Sequence, residues 1–334
     1  MKILYGIQGT GHGHLSRARE LLPVLEKKVD LDVLISGYEN YMPFIEEFSV
    51  VYKKRGISLK YDSKGGVSLY DTFRQLNLKQ FLLDVNTITI DDYDLVISDY
   101  EPVSAWAAWK AGVPCVGASH QASFESPNTP RPPKKSLLPE ILLRQFAPCS
   151  RPVGFHFKRY DSFIHPPLIR KRIQEQEPGA EVGNHISVYL PAHHPEVLVP
   201  LFQSIGNTPF HLFSGQVQRE YWDGNVRLHP IDNTAFVDSL TQSLGVITGG
   251  GFETCAEALY LGKKLMVVPI AYQYEQMCNA AALKEMGVPS TSYIDGSFTK
   301  TLRQWLKEDP PEKIEEAADV ELVVDTILES VSQD

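Results

Sequence analysis

At 334 residues, with 43% hydrophobic and 22% charged content, the chain is long enough for two domains of ordinary size and apolar enough to pack them. Its formal charge of −9 argues against a general nucleic-acid binder, no apolar run approaches a membrane span, and Met1 to Leu4 begin a strand rather than a signal peptide. Cys115, Cys149, Cys255 and Cys278 lie far apart without metal or disulfide spacing, which fits a reducing cytoplasm and no metal site.

Residues 2–7 (KILYGI) form an apolar run that suits a first, buried parallel strand. They lead into Gln8-Gly9-Thr10-Gly11-His12-Gly13-His14 and the helix-like SRARELLPVLEKK, the strand, glycine turn and helix start of a Rossmann-type unit. A dinucleotide site is excluded on detail: the spacing is not GxGxxG, the second strand (31–35) ends in Ser36 rather than an acid, and no GK[ST] follows for a P-loop. What remains is two histidines on a loop at the carboxyl end of the sheet, facing any interdomain cleft. Residues 38–83 give mixed signals, with a strand near 50–52 and a helix near 69–81. The run 95–98 is the next buried strand, and it sets Asp99 on the same edge as His14. Asp99 either orients a histidine or caps the following helix.

Asp92-Tyr93-Asp94 has the look of a DxD metal motif but precedes its strand, at the opposite edge of the sheet, and is read as a turn. His193-His194 lacks carboxylates at metal spacing. The strand 115–118 delivers Ser119, His120 and Gln121 to the cleft edge, as acceptor-side candidates with Gly11, His12 and Gly13. Residues 131–172 hold ten Lys/Arg against Glu140 and Asp161, a balance of +8 that leaves −17 for the rest. Leu137, Leu138, Ile141, Leu142, Leu143 and Phe146 share the stretch. It meets an anionic membrane or a phosphorylated acceptor, or it is a solvated basic helix with one face in the core. The domain expectation is 1–165, a linker at 166–184, a second domain at 185–311, and a final helix at 312–334 returning to the first domain.

The stretch 249–280 organises the chain. Val246 and Ile247 read as a short buried strand, Gly249, Gly250 and Gly251 break it, and Phe252, Ala256, Leu259 and Tyr260 carry a helical period. Bare N–H groups at that helix start favour a phosphate, and glycine lets it approach. Glu257 sits one turn inside, Gly262 closes the helix, and a strand at 265–268 ends at Pro269. Gln273, Glu275, Gln276 and Asn279 follow. Phosphate, ribose and sugar hydroxyls would be met in that order, as in a nucleotide-sugar site.

The frame Gly249–Gly251, Thr254, Glu257, Gly262, Pro269, Glu275-Gln276 and Asn279-Ala280 resembles the donor signature of GT-B glycosyltransferases. These are the superfamily of UDP-glucuronosyltransferases, plant glycosyltransferases and the peptidoglycan N-acetylglucosaminyltransferase. Plant members carry His at the place of Gly249 and Val-Pro at Lys263-Lys264, so the phosphate contact here would fall to Thr254 and to backbone at Phe252 and Glu253. Residues 11–18 (GHGHLSRA) resemble the GxGH…A turn of lipid-directed members, which implies His14 as catalytic base, with His12 as second candidate. Asp99, followed by Trp106 and Gly112-Val113-Pro114, resembles the carboxylate that orients the base in plant members. Ile231, in the loop 229–233, matches the position that holds the uracil.

As a whole the resemblance implies an α/β chain of two Rossmann-like domains facing a cleft, the GT-B architecture, with its C-terminal helix crossing back. It implies metal-independent, inverting transfer from a nucleotide-sugar, above all a UDP-sugar, to an acceptor hydroxyl, without a cofactor. A lipid-linked acceptor would set the protein at the inner face of the membrane, making a cell-envelope glycan. Two other readings stand: a nucleotide-sugar 2-epimerase, which expects several cleft carboxylates and no acceptor, and a sugar-nucleotide-binding regulator without turnover.

Overall fold

The computed structural model describes residues 1–10, 12–37, 48–57, 77–133, 136–176, 183–291 and 293–330. Gly11, Lys134 and Lys135 lie outside these residues, as does most of the region 38–83 assigned to the acceptor pocket. Strands β1 (Lys2–Gln8), β2 (Asp30–Ser36), β3 (Val50–Lys54), β4 (Leu95–Asp99), β5 (Cys115–Ser119), β6 (Arg151–Phe155) and β7 (Ile164–His165) build one parallel sheet. Its order is β3-β2-β1-β4-β5-β6-β7. Strands β8 (Ile186–Tyr189), β9 (Phe210–Phe213), β10 (Tyr221–Asp223), β11 (Val226–His229), β12 (Gly245–Thr248) and β13 (Lys264–Val267) form a second sheet, ordered β10-β11-β9-β8-β12-β13. Only β10 runs antiparallel among its described pairs. Chain order reverses at β1/β4 in the first sheet and at β8/β12 in the second, and open α/β sheets bind ligands beyond the carboxyl ends at such points.

β1 is apolar on both faces because it lies between β2 and β4, and its register sets Ile7 beside Asp99. Four residues after β1 ends, α1 (His12–Leu25) begins, burying Leu15, Ala18, Leu21, Leu22 and Leu25 at helical spacing. The histidines expected on a loop therefore stand in the first turn of a helix. One apolar cluster runs from β1 and α1 through Ile169, Ile173, Ile314 and Ala318 to Leu259 and Leu283 of the second unit, so the two sheets share a core at this end.

The final helix expected over 312–334 begins only at Val320. Residues 313–319 are an extended strap, with Ile314 N–H donating to Leu259 O and Ala318 N–H to Pro167 O. Ile314 and Ala318 are buried beneath it, so the two bodies claim backbone bonds that a helix would need for itself. Asp319 then caps α11 (Val320–Glu329) through Leu322 N–H, 3.2 Å, and Lys28 pairs with Glu321 and Asp325 where α11 meets α1.

Candidate functional site

Tyr100, just beyond β4, has φ +54°, a left-handed conformation that costs a non-glycine residue about 1–3 kcal/mol. The sharp turn leaves Glu101 to cap α3 (Pro102–Ala111), with Val103 N–H donating to Oε1 at 2.7 Å and Ser104 N–H to Oε2 at 2.6 Å. Asp99 is thereby left out of the cap. Its Oδ1 lies 2.7 Å from His14 Nδ1, and Arg17 grips both its oxygens, Nε to Oδ2 at 2.8 Å and Nη2 to Oδ1 at 2.7 Å. The Tyr100 ring lies nearly parallel to the imidazole, 6.4 Å centre to centre, and packs on Phe146.

Asp99 is fully buried, which alone would raise its pKa; Arg17 and His14 reverse that and hold the carboxyl below its usual range. Burial lowers the pKa of Arg17, but Asp99 and Glu253 more than reverse that and hold the guanidinium charged. An ionised Asp99 only accepts, so His14 Nδ1 carries the hydrogen that faces it, and in the neutral ring the lone pair falls on Nε2. Nε2 bonds none of the described residues, and the side chain is 12% exposed. The arrangement is that of an imidazole prepared to take a proton.

Arg17 was not singled out by the sequence, although its position is informative: a cation on the stripe of His14, Ala18 and Leu21 is stable inside only when paired. Its third contact, Nη1 to Glu253 Oε1 at 2.6 Å, crosses to the second domain. Gly13 makes room for that crossing, since a Cβ there would come 2.3 Å from Glu253 Oε2.

On the second domain the turn after β12 passes through Gly250, φ +84°, into α8 (Phe252–Tyr260). Gly249 and Gly251 flank it, and Phe252, Glu253 and Thr254 form the first helical turn. Gly250 O accepts from Asn279 Nδ2 at 3.1 Å, and Asn279 Oδ1 is 2.7 Å from His120 Nε2. The His120 ring stacks on Phe252 at 4.0 Å. Glu275, on α9 (Tyr274–Glu285), accepts from Gln121 Nε2 at 3.0 Å, while Gln276 Oε1 accepts from Ile270 N–H at 2.8 Å and so braces the turn. Ile231 is 42% exposed, beside the Asp232 cap of α7 (Asn233–Gln242).

Glu257 is not open to a ligand on all sides: Arg170 donates to it through Nε at 2.5 Å and through Nη2, and reaches Asn233 with Nη1 at 2.9 Å. The chain thus brings His14, Gly13 and Asp99 together with Glu253, and His120 and Gln121 with Asn279 and Glu275. Gln276 lies against the glycine turn, its Oε1 3.4 Å from where a Cβ on Gly249 would stand, while Ile231 neighbours Gly215.

The basic stretch is not a free patch. Arg131 pairs with Glu140, Arg144 with Glu125, Lys158 with Glu312, Arg170 with Glu257, Lys171 with Glu175 and Arg172 with Asp238. Most of these carboxylates lie outside 131–172, so the local surplus is neutralised from other parts of the acidic chain. α4 (Leu137–Gln145) does leave Leu137, Leu138 and Ile141 exposed. No helix among the described residues is long and apolar enough to cross a membrane.

Two Rossmann-like domains meeting over a histidine–carboxylate pair on one side and a glycine turn opening a helix on the other define a GT-B glycosyltransferase. Residues 1–308 match the family described as Glycosyl transferase family 1, and the chain belongs to it. Solved structures agree in fold. The glycosyltransferase SnogD from Streptomyces nogalater aligns at 16% identity over 100% of this chain and 99% of its own, with a TM-score of 0.57. Acinetobacter baumannii MurG aligns at 14% identity, over 98% and 99%, with 0.57. The UDP-GlcNAc 2-epimerase from Neisseria meningitidis, solved with UDP-GlcNAc bound, aligns at 13% identity over 100% of both chains, with 0.58. No curated protein matches the sequence.

Proposed function

We propose that the chain transfers a sugar from a UDP-sugar to an acceptor hydroxyl with inversion, in the cytoplasm and without a metal or other cofactor. The observation that carries this is His14: its Nδ1 is committed to an ionised Asp99, its Nε2 bonds none of the described residues, and Gly13 beside it lies against Glu253 in the first turn of the donor helix. Nε2 takes the acceptor proton as the oxygen attacks the anomeric carbon. The diphosphate departs toward α8, whose free N–H groups at Phe252 to Thr254 stabilise its charge. Gly249, Gly250 and Gly251 admit the phosphates, Glu257 meets the ribose while sharing Arg170, and Ile231 backs the uracil. Glu275, Gln276 and Asn279 serve the sugar. Incubating the chain with UDP-sugars and a panel of hydroxyl acceptors tests this by UDP release coupled to a glycosylated product.

A 2-epimerase reading is favoured by one feature: Asp99, Glu253 and Glu275 bring three carboxylates to the domain contact. It predicts C2 exchange of the UDP-sugar in deuterated water with no acceptor present. For the acceptor, the exposed Leu137, Leu138 and Ile141 support an amphiphilic, lipid-linked molecule met at a membrane surface.

A further inference from the structure

Arg17 is 3% exposed and offers its guanidinium to two carboxylates at once. Nε and Nη2 hold the two oxygens of Asp99, Nη1 holds Glu253, and Nη2 lies 3.2 Å from His14 Nδ1. His14 and Arg17 stand three residues apart on α1, which puts both on one face. The planar fork matches a carboxylate bidentately, a geometry a lysine cannot copy. Without it, Asp99 would be buried with His14 as its remaining polar partner, and a buried carboxyl deprived of its cation is driven toward its protonated form. A protonated Asp99 can donate to Nδ1, so the hydrogen of the imidazole is no longer confined to that nitrogen.

We propose that Arg17 is a positioning residue of the reaction: it fixes the Asp99 carboxylate, and through it the Nδ1–H form of His14, and ties that pair to the donor helix through Glu253. The bond to Glu253 makes this the contact through which the base and the first turn of α8 are held in register. Seated where the helix would receive the diphosphate, Glu253 shares the only guanidinium that also serves the base, among the described residues. The catalytic role of His14 rests on the proposed function, but the control of its tautomer does not.

The test is 15N NMR of the full chain labelled at histidine, with His14 assigned by H14N. Wild type should show neutral His14 protonated at Nδ1. R17Q should lose that preference and give a mixture of tautomers or the Nε2–H form. R17K, which keeps the buried charge but not the fork, should lose it in part and carries the test if R17Q does not fold. E253Q should keep it. A folded R17Q or R17K with His14 still wholly Nδ1–H would overturn the proposal and leave Arg17 as an interdomain pin. In the kinetic arm, R17K should lower kcat by about 10²-fold, the low end of what a positioned base contributes, with KM for the UDP-sugar nearly unchanged. A rise in KM at constant kcat would also overturn it. If wild type turns over no UDP-sugar, the proposed function fails, and the tautomer experiment alone decides on Arg17.

Discussion

The two sides of the domain contact are organised differently. On the first domain, His14, Asp99 and Arg17 satisfy one another in a buried knot drawn from the end of β4 and the first turns of α1. On the second, the carboxylates of 249–280 each look to another element: Glu253 to Arg17, Glu275 to Gln121, Glu257 to Arg170. The proposed base is therefore assembled before any donor arrives, as preorganised catalysis requires. The donor residues are held by protein partners that a ligand must share or replace, so nucleotide-sugar binding should be coupled to the contact between the domains.

The largest expected effect breaks the first side alone. His14→Ala should lower turnover by roughly 10²–10⁴-fold, the contribution of a positioned general base, while UDP binding measured by calorimetry stays nearly unchanged. Asp99→Asn should lose less, in the same direction. Collapse of UDP affinity in His14→Ala would move His14 from the reaction to binding.

Next comes the second side. Glu257→Ala strands Arg170 in a largely buried place, and removing one partner of such a pair costs about 3–5 kcal/mol. The variant should unfold at clearly lower urea as well as bind UDP less well. Glu257→Gln, which keeps the shape, should separate the two losses. An unchanged urea midpoint in Glu257→Ala would show that the Arg170 contact carries little of the domain joint.

Acid should distinguish the two sides more gently. In the second domain His211 is stacked on His185 and lies beside His229; burial first, then these neighbours, lower its pKa from 6.5 to about 3. A depressed folded pKa means the unfolded chain takes the proton first, so this contribution is intact above about pH 6.5 and is lost as pH falls toward 3. Asp99 is depressed below 3.8, so its contribution persists until the pH falls below that value. Melting followed by circular dichroism should therefore weaken from pH 6.5 downward, and His211→Phe should flatten that decline. Equal slopes in both proteins would remove the histidine stack from the account.

The smallest effect concerns α4. With the cations of 131–172 largely paired, vesicle binding should depend on Leu137 and Ile141 more than on salt. Leu137→Glu with Ile141→Glu should abolish co-sedimentation with anionic vesicles. Binding that vanishes at moderate salt, with both variants unaffected, would restore the polybasic explanation.

Much of the arrangement was legible because it follows from local pattern. Buried strands such as 2–7 and 95–98 are continuous apolar runs, and the turn 249–251 is marked by glycines before a helical period. Strands β7 and β10, two and three residues long, are too short to carry any period. The strap at 313–319 reads as helix in the sequence because its apolar residues face two bodies at once, which no single-element pattern encodes. The sequence leaves Asp99 as either a cap or a partner for His14, and the fold decides because Glu101 fills the cap. Arg170 looks like an ordinary surface cation until the chain folds Glu257 over it, whereas Arg17 is marked by its place on the apolar stripe of α1 although its partners are distant in sequence.

The most direct test is a single-turnover mixture of wild type or His14→Ala with a UDP-sugar and the acceptor that supports UDP release. Wild type should form the glycoside with inverted anomeric configuration, and His14→Ala should bind the UDP-sugar as tightly yet form product at least about a hundredfold more slowly. Equal rates in the two proteins, or a product that retains the anomeric configuration, would contradict the account.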